Sequence, residues 1–97
     1  MSQVSVVGEV IAERAAQDRQ WGEQNHPDGT SPAAYTRAAE VAQAVTNMHA
    51  AEGSVTWLDI LHEEVMEAFA SRTPRDELVQ VAAVAVAWIE AIDRRKA

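Results

Sequence analysis

The sequence predicts an all-α domain of four helices. Apolar residues recur at three-to-four-residue spacing in four segments, Ser/Thr-containing start signals precede the later ones, and no segment reads convincingly as a strand. The chain has 97 residues and no cysteine, so neither disulfides nor a thiolate zinc site can supplement a small core. We therefore expect one domain over residues 1–97 that gains stability by oligomerisation.

The first helix is predicted from Val4 to Gln20. Its apolar stripe comprises Val7, Val10, Ile11 and Trp21. Arg14 and Asp18 fall inside that stripe, where an unpaired buried charge would be unfavourable. Two interpretations stay open: the pair forms an i,i+4 salt bridge at the edge of the stripe, or this face looks into a polar site.

A loop is predicted from Gly22 to Ser31, with Trp21 at its mouth and His26 in its middle. The Asp28-Gly29 pair favours a positive φ at the glycine. Loops that mix polar and aromatic residues often bind ligands, and an ordinary surface connection is the alternative.

The second helix opens at Ser31-Pro32, with Ser31 as N-cap and Pro32 in the first helical position. It ends by Gly53. Its side chains expected to face inward are Tyr35, Ala38, Ala42, Val45 and Met48. We expect a packing element without chemistry.

The third helix carries three glutamates. Thr56 is expected to cap it, with Asp59 completing an arrangement close to a capping box. Its apolar stripe comprises Leu58, Leu61, Val65, Ala68 and Phe69. Glu64 lies on the flank of that stripe, Glu67 further round and Glu63 furthest from the core, so Glu64 is expected to be partly buried.

The fourth helix starts within Thr73-Pro74-Arg75-Asp76, which leaves a turn of two or three residues and predicts antiparallel neighbours. In that arrangement Glu67 comes level with Glu77, and Glu64 with Gln80. The helix is apolar nearly all round, through Leu78, Val79, Val81, Ala82, Val84, Val86, Trp88, Ile89 and Ile92. This excess of apolar surface predicts a partner chain, in a homodimer or homotetramer.

Four oxygen-bearing side chains, on Glu64, Glu67, Glu77 and Gln80, are therefore expected to face one another across two helices. Such a set can hold Mg²⁺ and leave positions open for water and phosphate. The alternative is a solvated acidic face, since the helix dipole favours negative charge at Asp76 and Glu77 in any case. Zinc is disfavoured because Met66 stands where a zinc-protease motif starting at His62-Glu63 needs its second histidine.

The formal charge of −7 argues against binding polymeric nucleic acid, whose affinity comes largely from Lys and Arg. A small anionic ligand stays compatible if a cation reverses the local potential. The longest apolar stretch, Val81 to Ile89, is too short for a bilayer span of about 20 residues. No secretory signal is visible at the N-terminus, so a cytoplasmic protein without a membrane partner is expected.

The helix Glu63-Glu64-x-x-Glu67 followed by Glu77-x-x-Gln80 resembles the all-α nucleoside-triphosphate pyrophosphatases of MazG type. Their signature is EExxE on one helix and ExxD on the next. The segment Glu13-Arg14-x-x-Gln17-Asp18-x-x-Trp21-Gly22 looks like the N-terminal part of small phage and actinobacterial MazG-like proteins. The resemblance implies Mg²⁺-dependent hydrolysis of a nucleoside triphosphate to monophosphate and pyrophosphate, in dimers or tetramers of helical hairpins.

The resemblance also implies roles for residues. Glu64, Glu67 and Glu77 would be the principal ligands, Glu63 a further ligand or the catalytic base, and Gln80 a weak ligand where the family has Asp. Residues expected to bind the substrate are Trp21 and Trp57, which can stack on a base, with Arg14, Asp18 and Asn25. Because Gln80 is neutral, a non-catalytic nucleotide-binding or regulatory module is the alternative function, and a purely structural helical oligomer is a third.

Overall fold

The structure, a computed structural model, describes residues 3–96 and the side chains of residues 5–96. This part of the chain forms four α-helices and no strand, which confirms the all-α prediction. The helices are α1 (Gln3–Trp21), α2 (Pro32–Ala51), α3 (Trp57–Phe69) and α4 (Arg75–Lys96).

The starts of α2 and α3 are capped by the residues that the sequence predicts. The Ser31 hydroxyl accepts a hydrogen bond from the Ala34 amide at 3.2 Å, and Pro32 is the first helical residue. In α3 the Thr56 hydroxyl accepts from the Asp59 amide at 3.2 Å, while the Asp59 carboxylate accepts from the Thr56 amide at 3.0 Å. This reciprocal pair is a complete capping box, so two otherwise unpaired amides at the start of α3 are satisfied.

Glycines with positive φ end α2 and shape the loop before it. Gly53 follows α2 with φ 73°, and the next amide, that of Ser54, donates to the His49 carbonyl at 2.8 Å. A residue with a Cβ adopts this left-handed conformation only with strain, so glycine suits the position. Gly29 has φ 75°, which confirms the positive φ predicted for the glycine of Asp28-Gly29.

Contacts divide the chain into two compact units. One combines the segment up to Asp28 with the segment from Val86 onward, and the other is Gly29–Ala85. The second unit contains α2, α3 and the first half of α4. The single domain expected over residues 1–97 stays a prediction.

Helices α2 and α3 pack as an antiparallel pair. At one end, the Ser31 amide donates to the Phe69 carbonyl at 2.8 Å, and the rings of Tyr35 and Phe69 meet edge to face at 5.3 Å. At the other end, His49 Nδ1 lies 2.8 Å from Asp59 Oδ2. The beginning of α2 therefore lies beside the end of α3, and the end of α2 beside the beginning of α3.

Asp59 is the polar residue most deeply placed in this pair, with 7% of its surface exposed. Its carboxylate oxygen accepts from His49 and from the backbone amide and hydroxyl of Thr56. These bonds, that of His49 foremost, hold the pKa of Asp59 below its ordinary value. The carboxylate is thus ionised at neutral pH, and its Oδ2 joins the α3 cap to α2.

Several side chains expected to face inward are exposed instead. The predicted α1 stripe of Val7, Val10, Ile11 and Trp21 is 40–64% exposed, whereas its neighbour Val6 is completely buried. On α3, Ala68 is buried as predicted, and Leu58 at the other end of the stripe is 63% exposed. Helical spacing shows which residues share a face, but the neighbouring elements decide which face is covered.

The connection between α3 and α4 is longer than predicted. It comprises residues 70–74 rather than two or three residues, because α4 begins only after Pro74. Pro74 is buried, and its carbonyl accepts the first helical bond of α4 from the Leu78 amide at 2.8 Å. A residue before proline is driven towards extended backbone, which keeps Thr73 out of the helix.

None of the described residues of α4 is buried. Leu78, Val79 and Ile89 are 50%, 56% and 38% exposed. The all-round apolar character predicted for this helix therefore appears as exposed apolar surface.

Candidate functional site

Four half-buried glutamates stand on α3 and at the start of α4: Glu63, Glu64, Glu67 and Glu77. The partial burial predicted for Glu64 is therefore confirmed. Glu63, predicted to lie furthest from the core, is half-buried as well. Gln80, one turn after Glu77, is exposed.

Two of these carboxylates have an oxygen that is hidden from solvent and has no hydrogen-bond partner: Oε2 of Glu64 and Oε2 of Glu77. Buried polar atoms are nearly always paired, because an unpaired one loses its hydration without compensation. Two such oxygens, on consecutive helices of the chain, are a specific departure from that rule. Their common requirement is a hydrogen-bond donor or a cation.

Electrostatic repulsion from neighbouring carboxylates contributes to the raised pKa values of two of these glutamates. Burial, followed by the charges of Glu67, Glu63 and Glu77, raises the pKa of Glu64 above its ordinary value. Burial and the charge of Glu67 likewise raise the pKa of Glu63. The charge of Glu77, on α4, therefore contributes to the raised pKa of Glu64, on α3. The sequence predicts Glu77 to be level with Glu67, which lies one helical turn after Glu64.

The donor set suits a hard divalent cation, since all four groups are carboxylates and two of their buried oxygens lack a partner. Within residues 3–96, however, no group of three or more His, Asp or Glu side chains is already positioned as a metal site. Ligation by three of these glutamates would thus require side-chain rotations, which the half-exposed position of the cluster permits.

A second feature is a groove of about 390 Å³ at the end of α1 and the start of the following loop. Its lining consists of Arg14, Gln17, Asp18, Trp21, Gly22 and Gln24. Arg14 donates to Gln17 Oε1 at 2.9 Å and to Asp18 Oδ1 at 3.0 Å. Both interpretations of the Arg14–Asp18 pair thus hold: it is an exposed i,i+4 salt bridge, and it lines a polar groove.

The predicted substrate-binding residues fall into different surroundings. Arg14, Asp18 and Trp21 come together in the groove, and the Trp21 side chain is 63% exposed. Asn25 instead donates to Glu23 Oε2 at 3.1 Å. Trp57 is half-buried as the first residue of α3.

Sequence reasoning missed three groove residues and one contact. Gln17, Gly22 and Gln24 line the groove, and for Gln17 a signal existed: it stands three residues after Arg14 and four before Trp21, on the same helix face. The contact between His49 and Asp59 joins residues ten apart on different helices, and no spacing rule predicts it.

No helix within residues 3–96 combines the length and apolarity needed to cross a lipid bilayer. Comparison with protein-family models, with curated proteins and with solved structures gives no match to this chain. The carboxylate cluster and the groove are therefore the features of the chain that bear on its function.

Proposed function

We propose that the protein is a Mg²⁺-dependent nucleoside-triphosphate pyrophosphohydrolase of MazG type. The observation that carries the proposal is the pair of buried, unpartnered oxygens of Glu64 and Glu77, where Glu64 is repelled by the charges of Glu67, Glu63 and Glu77. A cation offsets that repulsion, and a triphosphate supplies oxygens for its remaining positions. The EExxE pattern of Glu63, Glu64 and Glu67 supports the same activity by resemblance.

Each glutamate has a defined task in this proposal. Glu64, Glu67 and Glu77 hold the cation, with Gln80 as a weak neutral ligand. When bound, Mg²⁺ neutralises phosphate oxygens and polarises the phosphorus that is attacked. Glu63 accepts a proton from the attacking water. Its raised pKa makes the carboxylate a stronger base than an ordinary glutamate.

The balanced reaction is hydrolysis of the bond between the α and β phosphates. Water adds its oxygen to the α phosphorus, the bond to the bridging oxygen breaks, and pyrophosphate leaves with that oxygen. The products are a nucleoside monophosphate and pyrophosphate. This activity would remove unwanted nucleotides from the cytoplasmic pool.

We also propose that the protein assembles into a dimer or tetramer through α4. The resemblance implies such an assembly, because the resembled family forms dimers or tetramers of helical hairpins. The exposed Leu78, Val79 and Ile89 supply apolar surface for the contact.

A second candidate is a nucleotide-binding or regulatory module without catalysis. Gln80 favours it, because this exposed neutral amide stands where the resembled family has an acid. A cation site with one fewer negative charge binds Mg²⁺ more weakly. Binding can then persist after turnover is lost.

Pyrophosphate release from a panel of ribo- and deoxynucleoside triphosphates, with and without Mg²⁺, tests the enzyme directly. We expect Mg²⁺-dependent release that falls at least 100-fold in Glu64→Gln and Glu67→Gln, since each removes a charged ligand. Glu40→Gln, which changes an exposed glutamate on α2, is the matched control and should keep full activity.

Three results would test the two candidates. Unchanged activity in Glu64→Gln contradicts the proposed mechanism. Calorimetric binding of nucleotide without turnover supports the module, and activity that appears only in Gln80→Asp identifies Gln80 as the reason for its loss.

A further inference from the structure

The groove at the end of α1 has a feature that the carboxylate cluster lacks: a largely exposed indole ring beside fixed polar groups. Trp21 is 63% exposed, and the groove volume of about 390 Å³ is at the lower end of the range for small-molecule sites. A second hollow of about 470 Å³ shares Arg14, Asp18 and Gln24 with it. A planar ligand can therefore lie on the indole with its edge towards the Arg14–Asp18 pair.

The bonds of Arg14 determine which polar atoms stay available to such a ligand. Because Gln17 Oε1 accepts from the guanidinium, the Gln17 amide nitrogen is left with its two N–H donors. Because Asp18 Oδ1 accepts the second guanidinium bond, Asp18 Oδ2 is left as an acceptor. The groove thus offers a donor and an acceptor one residue apart on the same helix.

Charge excludes a phosphate as the preferred occupant. Arg14 and Asp18 neutralise each other, and they are the only ionisable residues among the groove's described lining. The neighbouring hollow adds a further negative charge, that of Glu23. Arg14 therefore holds the side chains of Gln17 and Asp18 in place and does not bind a phosphate. A neutral ring suits the groove better than an anion.

We infer that this groove binds a nucleobase that carries an exocyclic amino group beside a ring-nitrogen acceptor, as adenine and cytosine do. Trp21 stacks on the base, Asp18 accepts from the amino group, and Gln17 donates to the ring nitrogen. In the same orientation, uracil and hypoxanthine present a carbonyl oxygen to the Asp18 carboxylate and a ring N–H to the Gln17 amide, so neither polar contact forms. The inference deepens the proposed function by naming the base of the nucleotide substrate.

Nucleosides without phosphate, titrated into the intact protein without Mg²⁺, test this groove separately from the carboxylate cluster. Indole N–H resonances follow binding, with that of Trp21 identified by its absence in Trp21→Phe. We expect adenosine to bind about tenfold more tightly than inosine, and cytidine about tenfold more tightly than uridine. This is the change expected from one well-formed polar contact.

Two substitutions probe the assigned roles. Trp21→Ala should weaken adenosine binding by about 5- to 150-fold, as expected for loss of one base stack. Asp18→Ala should reduce the preference for adenosine over inosine to less than about threefold, because the acceptor for the amino group is removed. Asp28→Ala, in the same connection but outside the groove lining, should leave both values unchanged.

Equal affinity for the members of each nucleoside pair in the unaltered protein would overturn the inference. The absence of any Trp21 shift at about 10 mM nucleoside would overturn it too, because a base stack together with two polar contacts should give detectable binding at that concentration. Neither result depends on how a variant folds. Because no phosphate or metal is present, base binding can succeed where pyrophosphate release fails, and the reverse.

Discussion

At the scale of single residues, Glu64 concentrates the unusual chemistry of this chain. Its carboxylate is half-buried, one of its oxygens lacks a partner, and three other glutamates repel it. An arrangement that lowers stability in the free protein is typical of a binding site, where a ligand offsets the strain.

Replacing Glu64 by Gln should therefore stabilise the metal-free protein at neutral pH. Its raised pKa means that folding favours the protonated form, so the stability of the unaltered protein falls as pH rises from about 4.5 through the folded-state pKa. Glu64→Gln should flatten that decline and raise the melting temperature at pH 7 by about 2–4 °C, for roughly 0.5 kcal/mol in a domain of this size.

If Mg²⁺ binds the glutamates as proposed, it should stabilise the unaltered protein, and the same variant should lose that stabilisation. Melting curves are recorded with about 5 mM MgCl₂, a concentration on the order of weak divalent-ion affinities, and with NaCl of equal ionic strength. The comparison separates binding of Mg²⁺ by the carboxylates from screening of their charges by salt. Glu40→Gln serves again as the control. A Glu64→Gln protein that melts lower than the unaltered protein without Mg²⁺ would show that the burial of Glu64 is not a source of strain.

At the scale of elements, the capping box of Thr56 and Asp59 anchors the start of α3, the helix that carries three of the four glutamates. Thr56→Ala removes the hydroxyl that accepts from the Asp59 amide and leaves that amide unpaired. We expect a loss of about 1 kcal/mol in the free energy of unfolding, measured by urea denaturation. Thr36→Ala, at an exposed position near the start of α2, should be neutral or slightly stabilising, because alanine is the better helix former.

If Thr56→Ala changes the free energy of unfolding no more than Thr36→Ala does, the cap contributes nothing measurable to stability.

The helices also show which features of the fold can be predicted from the sequence and which cannot. The caps at Ser31 and Thr56 were predictable because capping joins residues two or three positions apart. The exposure of Leu58 was not, because it depends on whether another element covers that face. Glu63 illustrates the same limit within the site: its position on the helix is predictable, but its half-burial depends on its surroundings.

At the scale of the whole molecule, the exposed apolar residues of α4 bear on assembly. If a partner chain covers this helix, a charge at Val79, which is 56% exposed here, should oppose association. We expect sedimentation velocity to show a dimer or tetramer for the unaltered protein and a monomer for Val79→Lys. Ala44→Lys, at an exposed position on α2, introduces the same charge and should leave the assembly intact.

A monomer in all three samples would contradict assembly through α4.

The Ser31 amide stands at a helix start, where amide protons usually exchange quickly with solvent. In this chain it donates to the Phe69 carbonyl at the far end of α3, 2.8 Å away. The bond joins the start of α2 to the end of α3, so it breaks when these two helix ends separate. The deuterium uptake of this one proton therefore records how often the helical pair opens, at a position where exchange otherwise reports only local motion.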